Sequence, residues 1–209
     1  SFYNQTGDVA ILPTPIVSVL GVIEDVRRRV TCDWGADEAR IYLLGTTHDA
    51  FGGSQWAHPV HGHLGGLPPR VDLAVEQRLG RILVGAATAG MLIAAHDVSD
   101  GGVAIALVEM AVRAETGARC QVPIGMDPFV FLFSESASRV IVVPRPEMES
   151  EFLDMCQEAG MPTTRLGEVS PGPDGRFLRL EGLFEVGLDE LTRVHEGTFP
   201  RSLDDPEPV

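Results

Sequence analysis

The sequence predicts an α/β sandwich in which a mixed β-sheet packs against helices. Short apolar runs of strand length alternate with longer stretches of helical periodicity, and turns rich in Gly or Pro separate them. From residue 40 onward the predicted order is strand, long helix, strand, helix, strands, helix, strand, strand and helix, which is typical of one α/β domain. With 209 residues the chain is long enough for one full domain and a fragment of another.

Residues 1–29 are predicted to be the terminal strands of a truncated domain, followed by the start of a linker. Residues 9–12 form a short predicted strand, and the apolar run 16–23 indicates a second, continuous one. A continuous apolar strand needs cover on both faces, which two short strands cannot supply. We therefore expect most of this sheet to lie outside the chain. The polar residues 26–40 indicate a linker, with a domain boundary at about residue 30.

Residues 30–200 form the main predicted domain, and residues 201–209 are predicted to be a flexible, acidic tail. Helices are indicated by apolar stripes at 3.6-residue spacing and by stop glycines such as Gly90 and Gly160. The run 120–124 is expected at a sheet edge. Strands are predicted at 40–45, 91–95, 120–124, 140–143, 163–169 and 176–180, and helices at 71–89, 102–115, 146–159 and 189–196.

The charge of the chain restricts its partners and its chemistry. The formal net charge is −14, with acidic residues spread along the sequence, so binding to nucleic acid or to anionic lipid is not expected. All 16 basic residues are arginine. The absence of lysine excludes a P-loop lysine and Schiff-base chemistry in this chain, and it leaves arginine as the permanent cation for a phosphate.

Cysteine usage and hydropathy indicate a soluble protein of the reducing cytoplasm. The 3 cysteines are widely spaced and form no CxxC pair, which argues against a disulfide framework and against a structural zinc site. No apolar run reaches the roughly 18 residues that a membrane helix needs. The first residues have neither a basic segment nor a long apolar core, so a secretory signal is not expected there.

Four histidines lie in the Gly-rich loop at residues 46–66. His48, His58, His61 and His63 offer imidazoles at a spacing that suggests a metal site. However, no cysteine lies nearby, and the glycines make the backbone loose. A flexible loop with surface imidazoles is therefore favoured over a metal site, and no metal ligand is predicted.

A first polar turn lies between an apolar strand and an Ala-rich helix. It places Asp97 and Asp100, with a hydroxyl between them, before Gly101 and Gly102 at a helix start. Carboxylates beside free backbone N–H groups can hold a cation or an anion. Alternatively, Ser99 or Asp100 caps the helix and the glycines only permit a sharp turn.

A second polar turn, residues 134–139, lies between the apolar segment 129–133 and a strand. It holds an acid, three hydroxyls and an arginine. The turn can take part in ligand binding. Equally, it can be a capped turn with an internal pair between Glu135 and Arg139, which are one helical turn apart.

The residues resemble the family of bacterial phosphoribosylformylglycinamidine synthase large subunits, specifically their C-terminal part. Several motifs occur in the family's order, over about residues 1 to 200. The segment beyond Pro200 departs from the family's pattern. The matching motifs are Ser1-Phe2-Tyr3-Asn4, Leu12-Pro13-Thr14-Pro15, Phe51-Gly52-Gly53-Ser54, residues 95–102, residues 133–139 and His195-Glu196-Gly197-Thr198-Phe199-Pro200.

The resemblance implies a fragment of a ligase of purine biosynthesis. The whole enzyme converts formylglycinamide ribonucleotide to the amidine, using ATP, Mg²⁺ and ammonia that a glutaminase subunit delivers from glutamine; a small accessory subunit also takes part. Its large subunit has two halves like aminoimidazole ribonucleotide synthetase. This chain resembles the end of the second half: the last strands of an N-terminal-type domain (residues 1–29), then a C-terminal-type domain (residues 30–200).

The resemblance implies few site residues in this chain. Ser1 matches the serine of a Gly-Asn-x-Ser segment that meets the ribonucleotide substrate. The catalytic residue, the ATP-binding residues and the magnesium ligands of the family fall outside the chain, so the fragment is expected to be inactive alone, to hold no cofactor, and to act with the remainder of the large subunit. The pseudo-symmetric half suggests a vestigial nucleotide site, formed by Asp97, Asp100, Gly101, Gly102, Ser134, Glu135, Ser136 and Arg139. A non-catalytic nucleotide-binding module and a subunit-docking module remain alternatives.

Overall fold

The computed structural model describes residues 4–11 and 16–204, with side chains described as far as residue 197. Ser1, proposed from the resemblance as a substrate contact, lies outside the described residues, as does the Leu12-Pro13-Thr14-Pro15 motif. The first described element is a small hairpin of β1 (Gln5–Thr6) and β2 (Val9–Ala10). Gly7 supplies the positive φ of 59° that its tight turn requires.

The main domain alternates strands and helices as the sequence predicts. Most of the boundaries agree with the predicted ones to within a few residues. The strands are β3 (Arg40–Leu44), β4 (Leu92–Asp97), β5 (Ala118–Cys120), β6 (Val140–Pro144), β7 (Thr163–Val169), β8 (Phe177–Leu180) and β9 (Phe184–Gly187); the helices are α1 (Leu73–Thr88), α2 (Gly102–Ala114), α3 (Pro128–Phe133), α4 (Glu149–Glu158) and α5 (Leu188–Asp204).

Within the described residues, the main sheet has seven strands in the order β4-β6-β3-β7-β5-β8-β9. Neighbouring strands are antiparallel except β5 and β8, which are parallel. The mixed sheet of the predicted α/β sandwich is therefore confirmed. No helix in the described ranges has the length and apolar composition needed to cross a membrane.

The two faces of the sheet carry separate cores because successive side chains of a strand point to opposite sides. On β3 and β6, Ile41 and Ile141 belong to the larger core, which α2 and α3 cover. Their neighbours Tyr42 and Val142 belong to the smaller core, which α1 and α4 cover. This alternation makes the sheet the middle layer between helices on both faces.

Residues 16–23, predicted as a strand of a sheet that lies mostly outside the chain, form no strand in the described structure. These residues have no regular secondary structure and are exposed, with Ile16, Val19 and Leu20 at 92%, 89% and 98% exposure. A strand exists only where its N–H and C=O groups pair with a neighbour, and no described strand lies beside this run. Its apolar composition is that of a buried strand, but no described part of the chain covers it.

Four further differences concern individual elements. The strand predicted at 120–124 is β5, which ends at Cys120 and lies inside the sheet between β7 and β8, not at its edge. Residues 129–133 form most of α3, since Asp127 caps its start by accepting from the Val130 N–H and Pro128 occupies its first turn. The edge strand β9 was not predicted, and α5 extends to Asp204, beyond the predicted end at 196.

The predicted linker at residues 26–40 is only partly a linker. Arg27 pairs with Asp25 at the surface, in the manner of an acid-paired face. By contrast, Trp34 is 1% exposed, and its indole N–H donates to the Thr116 carbonyl at 2.9 Å. A parallel bridge joins Thr31 to β4. The chain is thus attached to the sheet from about residue 31, close to the proposed domain boundary.

Candidate functional site

The sheet brings the two polar turns of the sequence together. Strand β4 leads into residues 97–102, and the turn 134–139 leads into β6, which pairs with β4. The Val98 N–H donates to the Arg139 carbonyl at 3.0 Å and fixes the two turns side by side. Six of the eight residues predicted for a vestigial nucleotide site therefore lie in one packed unit: Gly101, Gly102, Ser134, Glu135, Ser136 and Arg139.

Gly101 and Gly102 fulfil a strict backbone requirement. Their φ angles are 75° and 71°, in the left-handed region that favours glycine. A Cβ on Gly102 would lie 2.6 Å from each of two carbonyl oxygens, those of Leu132 and Ser134. The turn at the start of α2 thus needs glycine for conformation and for space.

The cap predicted for α2 is wrong. Gly101 occupies the N-cap position, and neither Ser99 nor Asp100 caps the helix with its side chain. Glycine has no side chain with which to accept the free N–H groups of the first turn. A residue distant in sequence instead accepts from the N–H of the N-cap residue Gly101.

That acceptor is Glu135. Its Oε1 atom accepts from the Gly101 N–H at 2.8 Å and from the Gln55 N–H at 2.7 Å. The predicted internal pair between Glu135 and Arg139 is therefore wrong. The carboxylate lies at the positive end of the α2 dipole, where a negative charge is favoured.

Arg139 is a buried cation that donates hydrogen bonds to neutral oxygens. It is 2% exposed, and its guanidinium donates to the carbonyls of Ser136 and Ser134 at 3.0 and 2.6 Å and to the Thr47 hydroxyl at 3.1 Å. Burial lowers the pKa of Arg139 to about 10, so the group remains charged at neutral pH. This cation supports the 134–139 turn from within.

The two buried serines bind the loop that follows β3. The Ser136 hydroxyl accepts from the His48 N–H at 2.9 Å and lies 2.8 Å from the His48 carbonyl. The Ser134 hydroxyl also donates to the His48 carbonyl, and it accepts from the Ala50 N–H at 3.3 Å. These side chains hold the backbone of the loop and do not point into solvent.

The two aspartates of the predicted site have a different environment. Asp97 and Asp100 are exposed. The Asp97 carboxylate lies 3.6 Å from the Nδ1 atom of His96, whose other ring nitrogen contacts Glu109 at 3.1 Å. The carboxylates of the two aspartates are therefore accessible to a ligand from solution. By contrast, the side chains of the two serines, Glu135 and Arg139 are hydrogen-bonded within the fold.

Sequence reasoning missed the loop partners of this unit. Thr47, His48, Ala50 and Gln55 meet the 134–139 turn, and three of the four do so through backbone groups. Backbone N–H and C=O groups are common to nearly all residue types, so no side-chain motif identifies them. The Phe51-Gly52-Gly53-Ser54 motif gave the one available signal that this loop is constrained.

The described residues do not fit a complete ATP site. A nucleotide phosphate is held by cations, by free amides at a helix start or by a metal. Here Arg139 is buried, Glu135 already occupies the Gly101 N–H, and no group of three or more His, Cys, Asp or Glu residues in the described part is arranged to bind a metal. No reaction step is assigned to these residues.

Comparison with known proteins gives a consistent family. A profile of the family described as "AIR synthase related protein, C-terminal domain" matches residues 36–178. The "Phosphoribosylformylglycinamidine synthase subunit PurL" of Rhodococcus erythropolis is 52% identical over 202 residues, covering 96% of this chain and 26% of that protein. The subunit of the same name from Frankia casuarinae is 54% identical over 201 residues, with the same coverage of 96% and 26%.

Solved structures agree on the fold. Thermotoga maritima PurL complexed with FGAR has a TM-score of 0.64 at 20% identity, covering 80% of this chain and 30% of that chain. The same protein complexed with ATP has a TM-score of 0.59 at 22% identity, covering 80% and 28%. PurLQS from the same organism has a TM-score of 0.58 at 19% identity, covering 78% and 27%.

Proposed function

The chain belongs to the AIR synthase related family, whose C-terminal domain it contains, and we propose that it is a non-catalytic part of a phosphoribosylformylglycinamidine synthase large subunit. The complete subunit is a ligase of purine biosynthesis. It converts formylglycinamide ribonucleotide, ATP and glutamine-derived ammonia to formylglycinamidine ribonucleotide, ADP and phosphate. In this proposal, the chain supplies a folded domain, and the remainder of the subunit supplies the chemistry.

The length of the chain compared with that of its relatives supports this proposal. The chain spans about a quarter of the curated relatives it matches, at 26% of the Rhodococcus erythropolis subunit, yet that subunit matches 96% of the chain. The contacts of the polar groups in the site also support a structural role for this chain. The Arg139 guanidinium and the Glu135 carboxylate bond to carbonyl, hydroxyl and amide groups of the protein itself.

The direct test is the synthesis of the amidine. With formylglycinamide ribonucleotide, ATP, Mg²⁺ and ammonium, we expect the chain alone to form none, because no described residue offers both a nucleotide phosphate site and a reacting group. Amidine and ADP can be followed by chromatography. Amidine formed in proportion to the chain concentration would refute the non-catalytic assignment.

A second proposed role is a vestigial nucleotide site at the two exposed aspartates. Asp97 and Asp100 both precede the start of α2, and exposed carboxylates are ligands that Mg²⁺ prefers. Calorimetric titration with ADP and Mg²⁺ tests this role. Binding that is lost in Asp97→Ala but kept in Asp189→Ala, a change at an exposed aspartate on α5, supports it. No heat with the unaltered chain contradicts it.

Partners and location follow from the same proposal. A complete subunit of this kind acts with a glutaminase subunit and a small accessory subunit, and the name PurLQS of the related structure indicates partner subunits for that protein. We propose ATP and Mg²⁺ as cofactors of the complete subunit, a small-molecule ribonucleotide as substrate, and the cytoplasm as its location.

A further inference from the structure

A large cleft lies beside the packed unit of the two turns. It has a volume of about 970 Å³ and lies between two stretches of chain, residues 48–52 and residues 67–74. Ser136 contributes to its lining. The first stretch belongs to the loop at residues 46–66, so the start of this loop forms one wall of the cleft.

The two stretches approach each other closely at one point. A Cβ on Gly52 would lie 2.0 Å from the Leu67 carbonyl, and the Gly53 N–H donates to the Gly65 carbonyl at 3.1 Å. Here the glycines allow backbone to lie against backbone. The two ends of the loop therefore lie against each other at these glycines. Other contacts attach the loop to the rest of the domain.

The tripeptide Ser134-Glu135-Ser136 provides this attachment. The serine hydroxyls bond to His48, and the Glu135 N–H donates to the Ala50 carbonyl at 3.0 Å. These contacts hold the start of the loop next to β3. Further along the loop, the Glu135 carboxylate reaches the Gln55 N–H.

Glu135 thus joins its own turn to two other parts of the chain. One oxygen, Oε1, accepts from Gln55 in the loop and from Gly101 at the start of α2. Both bonds are charge-assisted, which makes them stronger than bonds between neutral groups. The N-cap residue Gly101 has no side chain of its own to cap α2, and the same carboxylate binds both this residue and the loop.

We propose that Glu135 is a latch that holds the loop at residues 46–66 against the start of α2. With the latch in place, the Gly101 N–H is occupied by an internal anion. Loss of the carboxylate releases the Gln55 side of the loop, while the serine contacts keep the start of the loop attached.

Hydrogen exchange measured by mass spectrometry on the whole chain tests the latch. In Glu135→Ala, peptides covering residues 46–66 and 99–104 are expected to exchange about tenfold faster or more, because both charge-assisted bonds are lost. Glu135→Gln keeps an oxygen acceptor without the charge, so it is expected to fall between Glu135→Ala and the unaltered chain. If the Glu135→Ala variant does not fold, Glu135→Gln by itself provides the test.

Glu149→Ala is the matched control. The Glu149 carboxylate also joins distant parts of the chain, since it accepts from Arg40 at 2.7 Å and from the Tyr42 hydroxyl, but it lies at the start of α4. Faster exchange at 46–66 in the Glu135 variants and not in this control supports the latch. Exchange at 46–66 that stays within about twofold of the unaltered chain, or rises equally in the control, overturns it.

Discussion

Arg139→Met is expected to lower the free energy of unfolding by about 3–5 kcal/mol. Methionine fills much of the same volume but cannot donate. The carbonyls of Ser134 and Ser136 and the Thr47 hydroxyl would then lose the partner that the guanidinium provides. Each buried acceptor left without a donor costs about 1–3 kcal/mol, and removal of the buried charge offsets only part of this loss.

Urea unfolding followed by circular dichroism measures this effect. Arg139→Lys retains the charge but has no planar fork, so an intermediate loss is expected. Arg113→Ala, at an exposed position of α2, is the control and is expected to change stability by less than about 0.5 kcal/mol. If Arg139→Met is as stable as this control, the guanidinium does not support the turn.

Gly102→Ala is expected to lower the free energy of unfolding by about 3 kcal/mol or more. The left-handed conformation at φ 71° is costly for alanine, and the added Cβ would lie 2.6 Å from the carbonyl oxygens of Leu132 and Ser134. Relief of this overlap requires the start of α2 to move away from the end of α3. Such a movement also disturbs the Glu135 contact at Gly101.

Two other glycines separate the causes of this loss. Gly90 has the same φ of 71° but open space around its Cβ position, so Gly90→Ala is expected to cost only the conformational part, about 1–2 kcal/mol. Gly80 lies within α1 with ordinary φ and open space, so Gly80→Ala is expected to stabilise by about 0.5–1 kcal/mol. Equal losses in Gly102→Ala and Gly90→Ala would show that the close carbonyls do not matter.

The sequence predicts those parts of the fold that local patterns determine. The stripe of α1, with Asp72 at its N-cap and Gly90 after its end, predicts that helix to within two residues. The compact β-branched run of β6 is equally clear. In each case the signal lies within the element itself, so no knowledge of tertiary contacts is needed.

Elements that depend on distant partners could not be predicted in this way. The run at residues 16–23 has the composition of a strand, but strand pairing depends on a neighbour that the described residues do not supply. The interior position of β5 depends on β7 and β8, which follow it by more than 40 residues. Composition alone cannot show where a short strand enters a sheet.

In the candidate site, too, the local features could be predicted from the sequence and the distant contacts could not. The sequence identifies both polar turns, and the glycines of the first are confirmed as conformational requirements. It does not show that Glu135 bonds to backbone N–H groups 34 and 80 residues away in place of Arg139. An i,i+4 pair is the natural expectation within a helix, but residues 134–139 form a turn between α3 and β6.

Exchange of this chain into a complete relative tests the central claim most directly. The chain would replace the matching 202 residues of the Rhodococcus erythropolis subunit, with deletion of those residues as the comparison. Amidine formation from formylglycinamide ribonucleotide, ATP and ammonium is then measured for the chimera, the deletion variant and the chain alone. We predict activity in the chimera and none in the other two. A folded chimera without activity, or amidine formed by the chain alone, would contradict the account.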